Sequence, residues 1–364
     1  MKKISTSDII NICLSFIALL ILNRCANKFE PNKNSITFNK SYAVEVDSVE
    51  VPPVLLKERR IIATNDFLVS MNIDSDTIFR VFKLPSYAYL GSFGSKGKGP
   101  QEFVYPNISS FRTDGKNISI SDLKKVFTIG LNENDITNNK VTFLENYYIP
   151  GKIMGLNQAT VLNDSIICGV MWTNSTHEIV SFNTHNEEIG SFIDYPNFYP
   201  NAPKKIKPIL YNKHISLSPD KSKLAILYTK FSLLRIYDFN TGKLIEKSIN
   251  GTPDQKDISF TKNSIKDSFD LYKYYKDITI TDKYIYGLYQ LSTAQRKNKG
   301  SNEYISKSIS QKELHIFTWN GEPKLKIKLE DWMNIFTVTT DDKNLIFVHP
   351  EKEDLIFTAK LNFF

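Results

Sequence analysis

The sequence predicts an all-β fold, a six-bladed β-propeller with four-stranded antiparallel blades. Three observations predict it: a turn unit that recurs six times, a second hairpin that follows the turn unit, and strand-length apolar runs without a sustained helical period. Repetition at a period of 20 to about 50 residues is typical of propellers and solenoids. We predict that the propeller spans residues 35–364.

The recurring unit consists of a short strand, an Asx-type turn and a second apolar strand. It reads ATNDFLVS in the first repeat and FRTDGKNISIS in the second. Asp and Asn side chains accept hydrogen bonds from the backbone two residues further on, and they therefore favour turns. The six anchoring aspartates are Asp66, Asp114, Asp164, Asp220, Asp282 and Asp342.

A second hairpin follows each of the first five turn units, as in LRIYDFNTGKLIEKSI and LHIFTWNGEPKLKIKL, where Gly242 and Gly321 mark the turns. Four strands per repeat result, but the sixth repeat ends one strand short. We predict that residues 35–47, SITFNKSYAVEVD, supply this strand. Such an N-terminal strand closes the last blade and removes its exposed edge.

The N-terminus has the features of a signal peptide. Lys2 and Lys3 precede an apolar run over residues 9–22. A membrane-spanning helix needs about 20 apolar residues, so this run is short for one, and a short uncleaved anchor is the alternative. We predict a signal peptide over residues 1–25 and a polar tether over residues 26–34.

The three cysteines leave no pair for a disulfide framework. Cys13 falls within the signal peptide, Cys25 stands just after the apolar run, and Cys168 lies in the apolar stretch SIICGVMW. A cysteine in a continuous apolar run is usually a buried, unreactive thiol, and this is what we predict for Cys168.

Charge and composition argue against a nucleic-acid partner. The chain has 46 basic and 39 acidic residues scattered along its length, for a net charge of +7. The densest basic runs, at residues 204–207 and 295–300, are short and isolated. We therefore predict no nucleic-acid binding.

The loop GSFGSKGKGPQEF, residues 91–103, has four glycines and two lysines but does not fit a phosphate site. A P-loop requires a glycine five residues before Gly97, where Ser92 stands, and Ser or Thr where Gly99 stands. A phosphate loop also leads into a helix, whereas Pro100 precedes strand-like residues. We predict a linker between two blades.

The chain resembles the TolB-like and NHL-like six-bladed propeller lipoproteins of Bacteroidota. The resemblance rests on the interblade linker GSKGKGPQEF at residues 94–103 and on LNRC at residues 22–25. In these lipoproteins, the cysteine at the position of Cys25 is acylated, although Arg24 replaces the small residue usual before it. The resemblance implies an envelope location, periplasmic or on the outer surface, and a lipid anchor on Cys25.

Aromatic residues are concentrated in the links between blades, as in ENYYIP, DYPNFYP and DLYKYYKD. In a propeller these links share one face with the loops between the second and third strands of each blade. Flat amphipathic rings on such a face suit the binding of a sugar or peptide, whereas rings between blades would only fill space. The ligand-binding candidates are Tyr147, Tyr148, Trp172, Phe198 and Tyr199.

The sequence predicts no catalytic residue, metal site or cofactor, because the five histidines lie far apart and no linear metal motif is present. We predict a membrane-tethered envelope binding or scaffold protein that recognises a peptide, protein or glycan through one propeller face. The alternative is a propeller enzyme, a lyase or hydrolase, at the axial channel. A converging set of His, Asp, Glu or Arg side chains at the channel mouth would favour this alternative. The sequence leaves the oligomeric state open.

Overall fold

The structure is a computed structural model. It describes residues 35–55, 57–153, 155–172, 175–250, 258–261, 264–265, 271–296 and 304–363. The predicted signal peptide, Cys25 and the tether lie outside these residues. One compact unit spans Ile36–Phe364. None of the described helices has the length and apolar character that a bilayer span requires.

The described strands are numbered in chain order. The N-terminal segment contains β1 (Ser35–Ile36), β2 (Ser41–Ala43) and β3 (Asp47–Glu50). Blade 1 contains β4 (Arg60–Ala63), β5 (Phe67–Met71), β6 (Thr77–Lys83) and β7 (Tyr89–Ser95). Blade 2 contains β8 (Arg112–Thr113), β9 (Asn117–Asp122), β10 (Lys125–Gly130) and β11 (Thr142–Tyr148). Blade 3 contains β12 (Leu156–Asn163), β13 (Ile166–Met171), β14 (His177–Asn183) and β15 (Ile189–Asp194).

The remaining blades follow the same plan. Blade 4 contains β16 (Lys213–Leu217), β17 (Lys223–Tyr228), β18 (Leu233–Asp238) and β19 (Leu244–Ile249). Blade 5 contains β20 (Lys273–Ile280), β21 (Tyr284–Arg296), β22 (Tyr304–Ser308), β23 (Lys312–Thr318) and β24 (Pro323–Leu329), with β22 paired to β21 outside the main sheet order. Blade 6 contains β25 (Ile335–Val338), β26 (Asn344–Val348) and β27 (Leu355–Lys360). The short helices are α1 (Glu133–Thr137) and α2 (Lys207–Leu210), and 3-10 turns lie at Ile108–Ser110 and Gly151–Ile153.

The predicted six-bladed all-β propeller is confirmed. Each anchoring aspartate lies in the turn between the first and second strands of its blade. Six apolar clusters fill the spaces between neighbouring blades, and the cluster of Ile61, Leu68 and Ile346 joins blade 1 to blade 6. The ring is therefore closed by packing as well as by strand pairing.

Blade 6 is completed by β3, which pairs antiparallel with β27, so the predicted closure by an N-terminal strand is confirmed. The position of this strand differs from the prediction. It lies at Asp47–Glu50, whereas only the last residue of the predicted segment 35–47 takes part, with Asp47 opposite Thr358. An apolar alternation shows that a segment can pair, but it does not determine with which edge.

Residues 36–46, which we call the strap, run along the outer edges of blades 4 and 5 instead. The Asn250 N–H donates to the Ile36 carbonyl oxygen at 2.8 Å, beside blade 4. Further on, β2 pairs parallel with β24 of blade 5. The Phe38 and Phe317 ring centroids are 5.2 Å apart, and Tyr42 stacks on Phe363 at 4.2 Å. The strap thus covers two sheet edges that would otherwise be exposed.

The glycine-rich loop is a structural linker, as predicted. Phe103 is fully buried against Phe79 and Phe127, between blades 1 and 2. The Gly99 N–H donates to Glu102 Oε2 at 2.8 Å. A Cβ on Gly97 would lie 1.8 Å from that same oxygen, so this glycine allows the carboxylate to approach the backbone.

Cys168 is fully buried on β13, as predicted. Burial raises the pKa of its thiol to about 12. The thiolate is the reactive form of cysteine, so this side chain is unreactive at neutral pH.

Candidate functional site

One face of the propeller holds most of the exposed apolar side chains. We call it the loop face; it consists of the links between blades and the loops between the second and third strands. Ten large apolar side chains are exposed among the described residues, and seven of them lie on the loop face, so the distribution is strongly one-sided. These seven are Val104, Tyr105, Leu123, Tyr148, Trp172, Ile209 and Ile309.

Four of the seven form a patch above blade 2, which we call the blade-2 patch: Val104, Tyr105, Leu123 and Tyr148. The Asp122 carboxylate accepts hydrogen bonds from the Val104 N–H at 2.8 Å and the Tyr105 N–H at 2.5 Å. These bonds fasten the link that carries Val104 and Tyr105 to the loop that carries Leu123.

The other side of the patch is fastened in the same way. The Ile149 N–H donates to the Lys124 carbonyl oxygen at 2.6 Å, and Tyr148 pairs with Lys125 between β11 and β10. Tyr148 therefore stands at the end of a paired strand, next to the loop that carries Leu123. Exposed rings and aliphatic chains on such ordered backbone lose little conformational freedom on binding.

The five predicted aromatic residues fall into two groups. Tyr148 and Trp172 are 57% and 60% exposed, respectively. Tyr147, Phe198 and Tyr199 are partly buried and pack against apolar clusters between blades. Only the first group is open to a partner, and the role of all five in ligand binding stays a prediction.

Phe198 and Tyr199 fill the space beside blade 4. The Phe198 and Phe231 ring centroids are 5.2 Å apart, and the Tyr199 N–H donates to the Tyr211 hydroxyl oxygen at 3.1 Å. Tyr199 also meets Phe260 edge-on at 5.8 Å. These contacts are those of rings that support the blade packing.

A second concentration of polar groups lies at the axis. Arg60 of blade 1 donates to Asp277 Oδ1 at 2.7 Å and to the Ile278 carbonyl oxygen at 2.9 Å, both on β20 of blade 5. Arg112 of blade 2 donates to the Ile215 carbonyl oxygen of blade 4 at 2.9 Å. Both arginines cross the channel and connect blades that are not neighbours.

The loop-face mouth of the channel opens into a cavity of about 220 Å³, the axial cavity. It lies at the starts of inner strands, because Arg60 begins β4 and His214 is the second residue of β16. Its polar lining comes from five blades or their links and comprises Arg59, Arg60, Ser109, His214, Lys276, Asp277 and Asn334.

The protonation states at the axis follow from burial and from neighbouring charges. Burial lowers the pKa of His214 to about 4, so the imidazole is neutral at pH 7. Burial opposes the ionisation of Asp277, but Arg60, His214 and Arg112 outweigh it and hold the pKa of that carboxyl below its ordinary value. General acid–base catalysis is most effective with a pKa near the working pH, and neither group has one.

The channel mouth thus has the converging His, Asp and Arg side chains that would favour the enzyme alternative. The Asp277 carboxylate, however, is already paired with Arg60. Among the described residues, no three His, Cys, Asp or Glu side chains cluster closely enough to hold a metal ion. The sequence analysis did not identify Arg60, Arg112 or Asp277. For the two arginines, a charged residue at the start of an inner strand, as in RIIA and RT, was the available signal.

The closed ring of six four-stranded blades defines the class: a six-bladed β-propeller. A family model described as TolB-like 6-blade propeller-like matches residues 45–341. The chain therefore belongs to the TolB-like six-bladed propeller family, which confirms the resemblance. No curated protein matches the chain.

Two solved structures share the fold. One is a member of the duf4221 family from Bacteroides vulgatus, with 12% identity and a TM-score of 0.60 over 90% of this chain and 98% of that chain. The other is a putative exported protein from Bacteroides fragilis, with 14% identity and a TM-score of 0.53 over 89% of this chain and 99% of that chain. At such identities the likeness extends to the fold alone.

Proposed function

We propose that this protein is a binding or scaffold protein of the bacterial cell envelope that recognises a peptide, protein or glycan through its loop face. The observation that carries the proposal is the one-sided exposure of Tyr148, Trp172 and the blade-2 patch on ordered backbone. Aromatic side chains are enriched at binding hot spots because they supply much contact area at low entropic cost.

The alternative function, a lyase or hydrolase at the axial channel, is favoured by the convergence of Arg60, His214 and Asp277. Binding remains the preferred proposal, because Asp277 is paired with Arg60 and the His214 imidazole is a weak base. Hydrogen bonds between blades account for the geometry of these contacts without a reaction.

Replacing Tyr148 and Trp172 by alanine is expected to leave the fold intact and to abolish partner binding. The exposed rings contribute little to the core, so the melting temperature should stay within about 2 °C of wild type. Capture from a solubilised envelope fraction, followed by titration of each purified peptide, protein or glycan, measures binding. A true partner binds wild type at least tenfold more tightly than the double variant, which is about 1.4 kcal/mol.

Two controls accompany this experiment. Ile189, at the start of β15, lies on the opposite face and is 46% exposed. Ile189→Ala should therefore leave binding unchanged. Phe198→Ala removes a ring packed on Phe231 and should destabilise the fold by at least about 2 kcal/mol. The loss is smaller than the usual about 3 to 5 kcal/mol for a fully buried ring, because Phe198 is only partly buried. Partners that bind the double variant as tightly as wild type would contradict the proposal.

We also propose that the propeller is attached to a membrane by a lipid on Cys25. The proposal rests on the cysteine directly after a signal-length apolar run. The Bacteroides fragilis structure that shares the fold is described as a putative exported protein, and this description supports an envelope location. A single acyl chain binds membranes only marginally, so a stable anchor requires more than one chain.

Cys25→Ser is expected to move the protein from the membrane fraction to the soluble fraction. Mass spectrometry of the wild-type protein should find an acylated N-terminal Cys25. Cys168→Ser is the matched control, because this thiol is buried in blade 3 and its replacement should not change the fractionation. A wild-type N-terminus at Met1, or one without acyl mass, would show that the anchor is wrong.

A further inference from the structure

The axial cavity has an excess of positive charge. Three cationic side chains line it, namely Arg59, Arg60 and Lys276, against the single carboxylate of Asp277. That carboxylate is occupied by Arg60 at 2.7 Å. The cavity is therefore left with positive charge that no lining residue neutralises.

Lys276 and Arg59 are the cations of the cavity that solvent reaches. Lys276 is exposed and donates a hydrogen bond to Gln290 Oε1, a neutral acceptor. Within the described part of the chain, no carboxylate lies at ion-pair distance from its ammonium group. Arg59 pairs with Asp74 at 2.7 Å, but both side chains are half exposed, and such a pair exchanges readily with solvent.

Buried cations beneath and beside the cavity add to its field. Arg112 is held by the backbone carbonyl oxygens of Phe111 and Ile215, and both are neutral acceptors. Burial lowers the pKa of Arg112, and the charge of Arg60 lowers it further. Burial and the neighbouring Lys276 lower the pKa of Lys312 to about 8. Burial is the main cause of both shifts and the neighbouring cations add to it, whereas Asp277 raises the pKa of Arg112 and Asp331 raises that of Lys312.

The shape and the neutral lining indicate the size of the ligand. A volume of about 220 Å³ is smaller than the sites of drug-sized molecules, so it accommodates one sugar ring or a short acid. Ser109 presents a hydroxyl for a polar substituent, and Ile108 and Leu288 supply apolar contact. The Asn334 amide also lines the cavity, but it is already bonded to Lys312 and to the Asp331 carbonyl oxygen. His214 adds a neutral ring with no hydrogen-bond partner at Nδ1 among the described groups.

We propose that the axial cavity binds a small ligand through an oxyanion, a carboxylate or a phosphate, held by Lys276 and Arg59. Guanidinium and ammonium groups form charge-assisted hydrogen bonds with such oxygens, and these are stronger than neutral hydrogen bonds. The oxyanion supplies the negative charge that the lining lacks. This site shares no residue with the blade-2 patch.

Calorimetric titration at low ionic strength tests the site with three probes: D-glucuronate, inorganic phosphate and glucose. Glucuronate or phosphate is expected to bind, and which of them binds identifies the carboxylate or phosphate source. Neutral glucose is expected not to bind. Lys276→Gln should weaken the binding at least tenfold, whereas Lys276→Arg should retain it, and higher salt should weaken it.

Lys124→Gln is the matched control, since it removes the same charge from an exposed lysine on the loop face outside the cavity. Its affinity for the probe should stay within twofold of wild type. Absence of binding by both anions overturns the proposal, as does equal binding of glucose. Equal weakening by Lys276→Gln and Lys124→Gln also overturns it, because that result means general charge attraction. The Tyr148 and Trp172 variants test the loop face only, so their results do not change the outcome for the axial cavity.

Discussion

Deletion of residues 1–50 is expected to lower the free energy of unfolding by at least about 4 kcal/mol, because it removes both the closing strand β3 and the strap. Ile36 is buried beside blade 4, and Val49 packs in the cluster between blades 6 and 1. Burial of one aliphatic side chain contributes about 1.5 to 3 kcal/mol, and Phe38 and Tyr42 add ring contacts. The melting temperature should fall by about 8 °C or more.

Two shorter deletions separate the contributions. Deletion of residues 1–34 removes only the predicted signal peptide and tether, and it should leave the melting temperature within about 2 °C of the mature protein. Deletion of residues 1–46 removes the strap but retains β3, so its stability should lie between the other two. If the protein without residues 1–50 has the same melting temperature as the protein without residues 1–34, the closure by β3 does not stabilise the ring.

Replacement of Glu178 by glutamine is expected to destabilise the protein by about 3 to 5 kcal/mol, the usual cost of breaking a buried ion pair. Glu178 of blade 3 lies 2.6 Å from Lys213 Nζ and forms an ion pair with Arg235, both of blade 4. The Tyr228 hydroxyl donates to Glu178 Oε1 at 2.5 Å. Without the carboxylate, the fully buried Lys213 ammonium has no counter-charge within the cluster.

Chemical denaturation of three variants measures this effect. Glu187→Gln is the control, because Glu187 and Lys152 form an exposed pair, 67% and 63% accessible, whose loss should cost at most about 1 kcal/mol. The double variant Glu178→Gln, Lys213→Met also removes the unpaired ammonium group, so it should recover part of the lost free energy of unfolding. A Glu178→Gln protein within about 1 kcal/mol of wild type would mean that Lys213 is neutral or solvated.

The blades could be predicted because their determinants are local. The Asn163 side chain, for example, accepts the N–H groups of Ser165 and Ile166 and so forms the turn in TVLNDSIICGV with neighbouring atoms alone. Gly242 and Gly321 have φ values of +67° and +78°, which other residues rarely adopt. Turn residues and apolar runs of this kind can be recognised in the sequence of each repeat, so the blades could be predicted.

The aromatic candidates show where local reasoning ends. Tyr147 and Tyr148 are adjacent in the sequence and equally aromatic, yet the alternation of β11 turns Tyr147 toward an apolar cluster and leaves Tyr148 57% exposed. Phe198 and Tyr199 are covered by residues of blade 4, including Phe231. Burial depends on which segment packs above a ring, and the sequence of the link does not contain that information.

The sequence by itself determined the number of blades, their strand order and the need for an N-terminal strand, because turns and strand patterns act over a few residues. Only the tertiary structure decided the identity of the closing strand, the path of the strap and the residues of the axial cavity. Arg60 and Asp277 meet although 217 positions separate them in the chain. Contacts of this kind arise when the ring closes and brings the starts of inner strands to one axis, and their geometry depends on all six blades together.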